Sequence, residues 1–233
     1  MGAGLLAGRY RLSHVIGRGG FGEVWEAHDT LANRAVAVKR FDTARDGLTE
    51  RRRVRREIAV LRALRLPGVV ALYDEGEDEG RPFLVMERVA GRDFPGRSTP
   101  CPWSSLEALA RALVGTLAGV HAVGVLHRDL KPSNVLVSES GGVTVLDFGI
   151  ARFTASGART LSADGALVGT PDYLAPEQLA GGDASERSDL YALGVMLYEA
   201  LTGALPFPPA RGVGAVYARL TESPVPVRER CPE

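Results

Sequence analysis

The sequence predicts an α+β fold in two lobes, β-rich over residues 1–89 and helix-rich over residues 90–233. Three observations lead there. Short β-type runs separated by turn residues dominate the first 89 positions, with one helical segment among them. From Ser104 onward the chain reads as a series of helices. The composition, 45% hydrophobic and 24% charged, is that of a globular protein, and 233 residues suffice to bury a core. The same figures exclude a disordered charged tail, a collagen-like repeat and a coiled-coil rod. With 28 Lys+Arg against 28 Asp+Glu, nothing supports nucleic acid as the main partner.

Taken in order, Val24–His28 and Ala35–Phe41 are β-type runs, and the polar stretch Asp29–Arg34 between them reads as a hairpin turn. Val54, Ile58, Leu61 and Ala63/Leu64 recur at helical spacing, which predicts a helix from Leu48 to Leu66 ended by Pro67-Gly68. Arg51–Arg56 on that helix is either a nucleic-acid patch or a solvated face. Flanking Glu50 and Glu57 and the apolar opposite face favour the latter. Strands follow at Val69–Tyr73 and Phe83–Val89, joined by the acidic turn Asp74–Gly80. Arg92–Trp103, with three prolines, is loop-like. A helix over Ser104–Ala122 is expected, capped by Ser104 or Ser105 with Glu107 in its first turn. The apolar stretch Leu106–Leu126 carries Glu107, Arg111 and His121, so it reads as a core helix rather than a membrane span. Further helices are expected at Pro176–Leu179, Glu186–Leu201 and Gly212–Thr221, and Pro224 to Glu233 reads as a linker.

Cys101 and Cys231 form neither a disulfide framework nor a CxxC metal site, which suits a reducing cytoplasm, and no signal peptide opens the chain. Lys39 and Lys131 are the only lysines against an otherwise all-arginine basic set. A compact ammonium and a guanidinium are not equivalent beside phosphate, so these two positions are suspects for chemistry.

Gly17-Arg18-Gly19-Gly20-Phe21-Gly22 is followed by a strand, not the helix a dinucleotide fingerprint needs. Glycines in a strand–turn–strand let backbone N–H groups approach phosphates, though a ligand-free Gly-rich hairpin would look the same. In Val36-Ala37-Val38-Lys39, strand alternation puts Ala37 and Lys39 on one face; Glu57 is the candidate carboxylate partner. His127-Arg128-Asp129-Leu130-Lys131-Pro132-Ser133-Asn134 gathers a base, a cation and an amide oxygen suited to a hard metal. Asp147-Phe148-Gly149 ends the apolar run Val143–Leu146, where a carboxylate is placed for Mg²⁺. Gly169–Glu177 and Asp189 complete the set.

In this order and spacing the motifs resemble the eukaryotic-like (Hanks-type) serine/threonine protein kinases of bacteria, from about Tyr10 to the last residue. The resemblance implies a two-lobed protein kinase-like fold and transfer of the ATP γ-phosphoryl group to Ser/Thr hydroxyls of proteins. It implies that Ile16, Gly17, Arg18, Gly19, Gly20, Phe21, Gly22 and Val24 cover the ATP phosphates. Ile16, Val24, Ala37 and Leu136 would hold the adenine, Met86 would be the gatekeeper, and the Glu87 and Val89 backbone would bond the base. Lys39 would pair with phosphates and with Glu57; Asn134 and Asp147 would hold Mg²⁺; Asp129 would orient and deprotonate the substrate hydroxyl, with Lys131 neutralising the phosphoryl group. Arg88 stands where relatives often have Tyr, with no expected consequence. A hydrophobic spine of Leu61, Leu72, Phe148 and His127 would be anchored near Asp189.

Arg128 would meet a phosphorylated loop between Asp147 and Glu177, where Thr160 and Ser162 are better placed for autophosphorylation through self-association than Thr154, Ser156 or Thr170. Protein substrates are the implied partners, with no nucleic acid and no membrane segment in this chain. The resemblance also implies helices past Glu233 and an arginine pairing with Glu177, for which Arg187, Arg211, Arg219, Arg228 and Arg230 lack the context. The expectation is a truncated catalytic domain with an unpaired buried Glu177, and the alternative is an ATP-binding regulatory module or a catalytically impaired fragment. A metabolite kinase is disfavoured by Gly169–Glu177, which resembles a peptide-docking platform.

Overall fold

The computed structural model describes residues 5–19, 22–41, 62, 65–148, 171–207 and 213–231. The helix expected over residues 48–66, with Glu57, lies almost wholly outside them, as do Gly20, Phe21, Gly149 and every candidate phosphorylation site. The chain divides into two compact units: residues 1–65, 69–90 and 150–155 in one, and residues 66–68, 91–149 and 156–233 in the other.

The first unit is built on an antiparallel five-stranded sheet in the order β1-β2-β3-β5-β4. Its strands are β1 (Tyr10–Gly19), β2 (Gly22–Asp29), β3 (Arg34–Phe41), β4 (Leu72–Asp78) and β5 (Arg81–Glu87). Alternation along β3 and β5 sends Val36, Val38, Phe83 and Val85 to one face, where they pack with Leu6, Tyr10 and Ala27. The Asp29 carboxylate, fully buried, takes two hydrogen bonds from Arg9 at 2.8 and 2.7 Å and the N–H groups of Leu31 and Ala32. The Arg9 guanidinium holds this carboxyl well below the usual carboxylate range. Arg9 and Tyr10 both donate to Asp74, at 2.7 and 2.6 Å.

That use of Asp74 explains a correction. The acidic stretch Asp74–Gly80 is not a turn: β4 runs through Asp78, and only Glu79 and Gly80, with φ of 49° and 76°, make the reversal. Two left-handed residues form the turn whose twist matches a hairpin. As an edge strand, β4 carries charge without burying it.

The second unit joins a small sheet to helices. Its strands are β6 (Arg92–Asp93), β7 (Val135–Val137) and β8 (Val143–Val145). Its helices are α1 (Trp103–Ala122), α2 (Pro176–Leu179), α3 (Glu186–Thr202), α4 (Val213–Thr221) and α5 (Val227–Arg230). Leu106, Leu109, Leu113, Leu117 and Val120 form the buried stripe of α1, at helical spacing. No side chain caps this helix: Pro102 occupies the cap position, so Ser104 and Ser105 fall inside the first turn and Glu107 beyond it, paired instead with Arg111 at 2.8 Å. Helix α3 stops at Gly203, whose φ of 68° lets its N–H return to the Glu199 carbonyl. Where a linker was expected, α5 forms a helical turn, and the Cys231 thiol after it donates to the Leu201 carbonyl at 3.1 Å. Among the described residues no helix is long and apolar enough to cross a membrane.

Candidate functional site

In the second unit, residues 127–134 are arranged around Asp189, a buried carboxylate near the start of α3. One oxygen accepts the His127 N–H and faces the His121 ring Nε2, both at 2.8 Å; the other accepts the Arg128 N–H at 2.8 Å. These bonds hold Arg128 at φ 67°, a left-handed conformation that is costly for a side chain larger than glycine. The His127 ring is fully buried, which pushes its pKa below the usual imidazole range. Its Nδ1 accepts the Asp129 N–H at 3.3 Å, so Nε2 carries the proton and donates to the Leu146 carbonyl at 2.8 Å. The ring also stacks at a tilt on Phe148, 5.0 Å between centroids.

The Asp129 side chain is thereby set at the loop's apex. Lys131 Nζ lies 3.0 Å from its Oδ2, and Asn134 Nδ2 donates to its carbonyl at 2.8 Å and to Oδ2 at 3.3 Å. Pairing of β7 with β8 continues through the Leu146 N–H to the Asn134 carbonyl at 2.8 Å, which brings Asp147 beside Asn134. Asp147 has φ 45°, a second left-handed residue without a glycine's freedom. Segment 171–179 closes on the same loop: Gln178 Nε2 donates to the Arg128 carbonyl at 3.3 Å.

In the first unit the strand register assembles a second group. Val24 lies opposite Lys39 across β2–β3, Lys39 opposite Leu84 and Ala37 opposite Met86 across β3–β5. Directly opposed residues share a face, so Val24, Ala37, Lys39 and Met86 stand together, away from the Val36–Val38 core. Gly17 lies opposite Val24 at the end of the β1–β2 hairpin, next to a bulge at Ile16. Gly22 has a structural reason to be glycine: its φ is 136°, and a Cβ there would fall 1.9 Å from the Arg40 carbonyl. Among the described residues no such neighbour crowds Gly19. The Glu87 N–H is committed to the Ala71 carbonyl at 2.9 Å, whereas the Val89 N–H makes no hydrogen bond among the described residues. Leu136 belongs to β7 of the other unit.

Residues 10–228 match the family model for the protein kinase domain. The chain belongs to the protein kinase family. A probable serine/threonine-protein kinase of Streptomyces coelicolor, SCO3848, is 42% identical over 230 residues, covering 94% of this chain and 34% of that protein. Serine/threonine-protein kinase PknB of Mycobacterium tuberculosis is 41% identical over 235 residues, covering 97% of this chain and 37% of that protein. The chain thus spans about a third of the length of these curated relatives. The crystal structure of the Mycobacterium tuberculosis PknI kinase domain superposes with a TM-score of 0.72 at 26% identity, covering all of this chain and 86% of that one. The fold is the two-lobed kinase fold, with a β-sheet N-terminal part and a helical C-terminal part.

The kinase residues suit a magnesium ion. Asn134 spends its amide nitrogen on Asp129, which turns the amide oxygen away from that bond. With Asp147 it offers two oxygen ligands of the type Mg²⁺ takes from protein when substrate phosphates and water complete its shell. Among the described residues there is no cluster of three or more His, Cys, Asp or Glu that would suggest a metal bound by protein alone.

Sequence reasoning missed a buried network beside this loop. Glu199, 1% exposed, accepts Arg97 Nε at 2.6 Å and the Tyr173 hydroxyl at 2.5 Å. Arg97 also reaches Asp172 at 3.0 Å, and Arg219 donates to the Asp172 carbonyl at 2.7 Å. Burial and the Glu199 carboxylate push the Tyr173 hydroxyl well above its usual range, so it stays a donor. Glu177 is half-buried rather than sealed in, and it accepts the Ser188 hydroxyl at 2.5 Å, so it is not the unpaired buried charge expected. Arg88, to which the sequence assigned no role, ties Glu26 of β2 to the Val89 carbonyl at 2.8 and 2.6 Å. Its only signal was a departure from a common tyrosine.

Proposed function

We propose that this chain transfers the γ-phosphoryl group of ATP to serine and threonine hydroxyls of proteins, its own loop between Asp147 and Glu177 included. The observation that carries the reading is the placement of Asp129: a half-buried carboxylate with Lys131 3.0 Å from it and Asn134 bonded to it, beside Asp147. Asp129 accepts the proton as the substrate hydroxyl attacks, and its oxygen, steered by Lys131 and Asn134, aligns that hydroxyl. Lys131 offsets negative charge growing on the transferring group. Asn134 and Asp147 would hold Mg²⁺, which when bound neutralises phosphate charge. Lys39, on the sheet face opposite the Val36–Val38 core with Val24, Ala37 and Met86, binds the α- and β-phosphates, and the apolar side chains of that face take the adenine. Glu57 would pair with Lys39, and the backbone of Glu87 and Val89 would read the base, with the Val89 N–H as donor.

The test is incubation of the purified chain with ATP and Mg²⁺ beside an Asp129→Asn control, read by intact mass. Added phosphate on the first and none on the second is expected. A folded chain that binds ATP with no phosphate on either would replace this reading with an ATP-binding regulatory module.

A further inference from the structure

The two cysteines, remote in sequence, meet the same helix end. The Cys101 N–H donates to the Ala200 carbonyl at 2.8 Å, and the Cys231 thiol donates to the Leu201 carbonyl at 3.1 Å. These are consecutive carbonyls in the last turn of α3, separated by a rise of about 1.5 Å along the axis. The Cys101 nitrogen and the Cys231 sulfur are therefore no more than about 9 Å apart. Both residues are half-buried and unbridged, so small oxidants reach them. Pro100 is seated against Gly203, 3.6 Å from where a Cβ would stand, which fixes the Cys101 segment on the helix end. The other side is loosely held: α5 is one turn whose four residues are all exposed. Such a turn shifts by a few ångströms at little cost, and a disulfide asks for Cα atoms about 4.4–6.8 Å apart.

We propose that Cys101 and Cys231 form an intrachain disulfide on exposure to peroxide, stapling α5 to the segment before α1 across the end of α3. The balance is simple. One thiolate attacks a peroxide oxygen; the O–O bond breaks, hydroxide leaves and takes up a proton, and a sulfenic acid remains. The second thiol attacks that sulfur; the S–O bond breaks and water leaves. Two thiols and one peroxide give one disulfide and two waters. Either thiol can take the first oxidation and the other then resolves it, and burial pushes the Cys101 thiol up. The bridge lies beside Glu199, two residues before Leu201, and so next to the network that fixes Tyr173.

The experiment treats the reduced chain with about one equivalent of hydrogen peroxide, quenches with an alkylating reagent under denaturing, non-reducing conditions, and reads intact mass and a peptide map. The expected result is loss of two hydrogens, no alkylation, and a linked peptide containing Cys101 and Cys231, reversed by dithiothreitol. Cys101→Ser and Cys231→Ser each remain alkylatable or stop at the sulfenic acid. The thermal midpoint of the oxidised chain rises by about 5–10 °C, because the crosslink restricts the unfolded chain. Disulfide-linked dimers, separate oxidation of each thiol, or full alkylation of both after peroxide would overturn the proposal. None of these readouts depends on kinase activity.

Discussion

Asp189→Asn removes one charge and turns one acceptor into a donor. The carboxylate takes three contacts at 2.8 Å, two on Oδ2 from His121 and His127 and one on Oδ1 from Arg128. The asparagine oxygen keeps the doubly used position, which leaves its NH₂ facing the Arg128 N–H. A hydrogen bond to a charged group contributes about 1.5–3 kcal/mol, and an unmet buried donor adds to the loss. The cost to the C-terminal unit is therefore about 2–4 kcal/mol, which lowers its thermal midpoint by about 5–15 °C. A functional effect of the same order accompanies the stability effect. Arg128 sits at φ 67°, a conformation disfavoured by about 1–2 kcal/mol and sustained here by the Asp189 contact. Once released, residue 128 relaxes and carries Asp129 with it, and misplacing the proposed base by about 1 Å costs on the order of 100-fold in turnover. Calorimetry and steady-state phosphorylation of a peptide, with ATP affinity measured separately, check both. A variant with an unchanged midpoint and unchanged kcat would refute the assignment of Asp189 as the anchor of this loop.

Three further outcomes are expected. Lys39→Met lowers phosphoryl transfer at least about 100-fold while far-ultraviolet dichroism and the thermal midpoint stay near wild type, since Lys39 is half-buried on the face opposite the sheet core. Arg97→Met leaves the Glu199 carboxylate, among the described residues, with the Tyr173 hydroxyl alone; half of Arg97 is exposed, so the cost is about 1–3 kcal/mol rather than the full penalty of a broken buried pair, and adding Glu199→Gln restores much of it in a double-mutant cycle. The third concerns pH: His127 is depressed below its ordinary value of 6.5 in the folded chain, so the unfolded chain takes the proton first, and the stability of the C-terminal unit is present above about pH 6.5 and falls progressively below it. Thermal midpoints from pH 8 to pH 5 test this, and a His127→Phe variant flattens that part of the profile.

Much of the architecture was legible because it is written locally. Val36-Ala37-Val38-Lys39 alternates with period two, and the strand that results separates a core face from a Lys39 face. The stripe Leu106, Leu109, Leu113, Leu117 and Val120 marks a helix whatever its neighbours. The reading failed where tertiary use outweighed local character. Asp74–Asp78 looks like turn chemistry but lies in an edge strand, because Arg9 and Tyr10 supply the partners for Asp74. Ser104 and Ser105 look like caps, but Pro102 starts the helix earlier.

Residues 127–134 and 147 could be singled out because their chemistry is crowded into short segments whose spacing is itself a signal. Asp189 stands out with them, but what it holds could not be read, and Glu199 does not stand out at all. Asp189 meets His127 and Arg128 from more than sixty positions away, and Glu199 meets Arg97 from 102. A carboxylate inside a helix reads as a solvated face until packing removes the water around it. By itself the sequence determined the fold class and most of the described strands and helices, which follow from periodicity and local composition, while the resemblance of its motifs to the protein kinases supplied the expected phosphoryl-transfer roles. Only the tertiary structure decided which carboxylates are buried and what they hold, because the partners that repay desolvation come from distant parts of the chain.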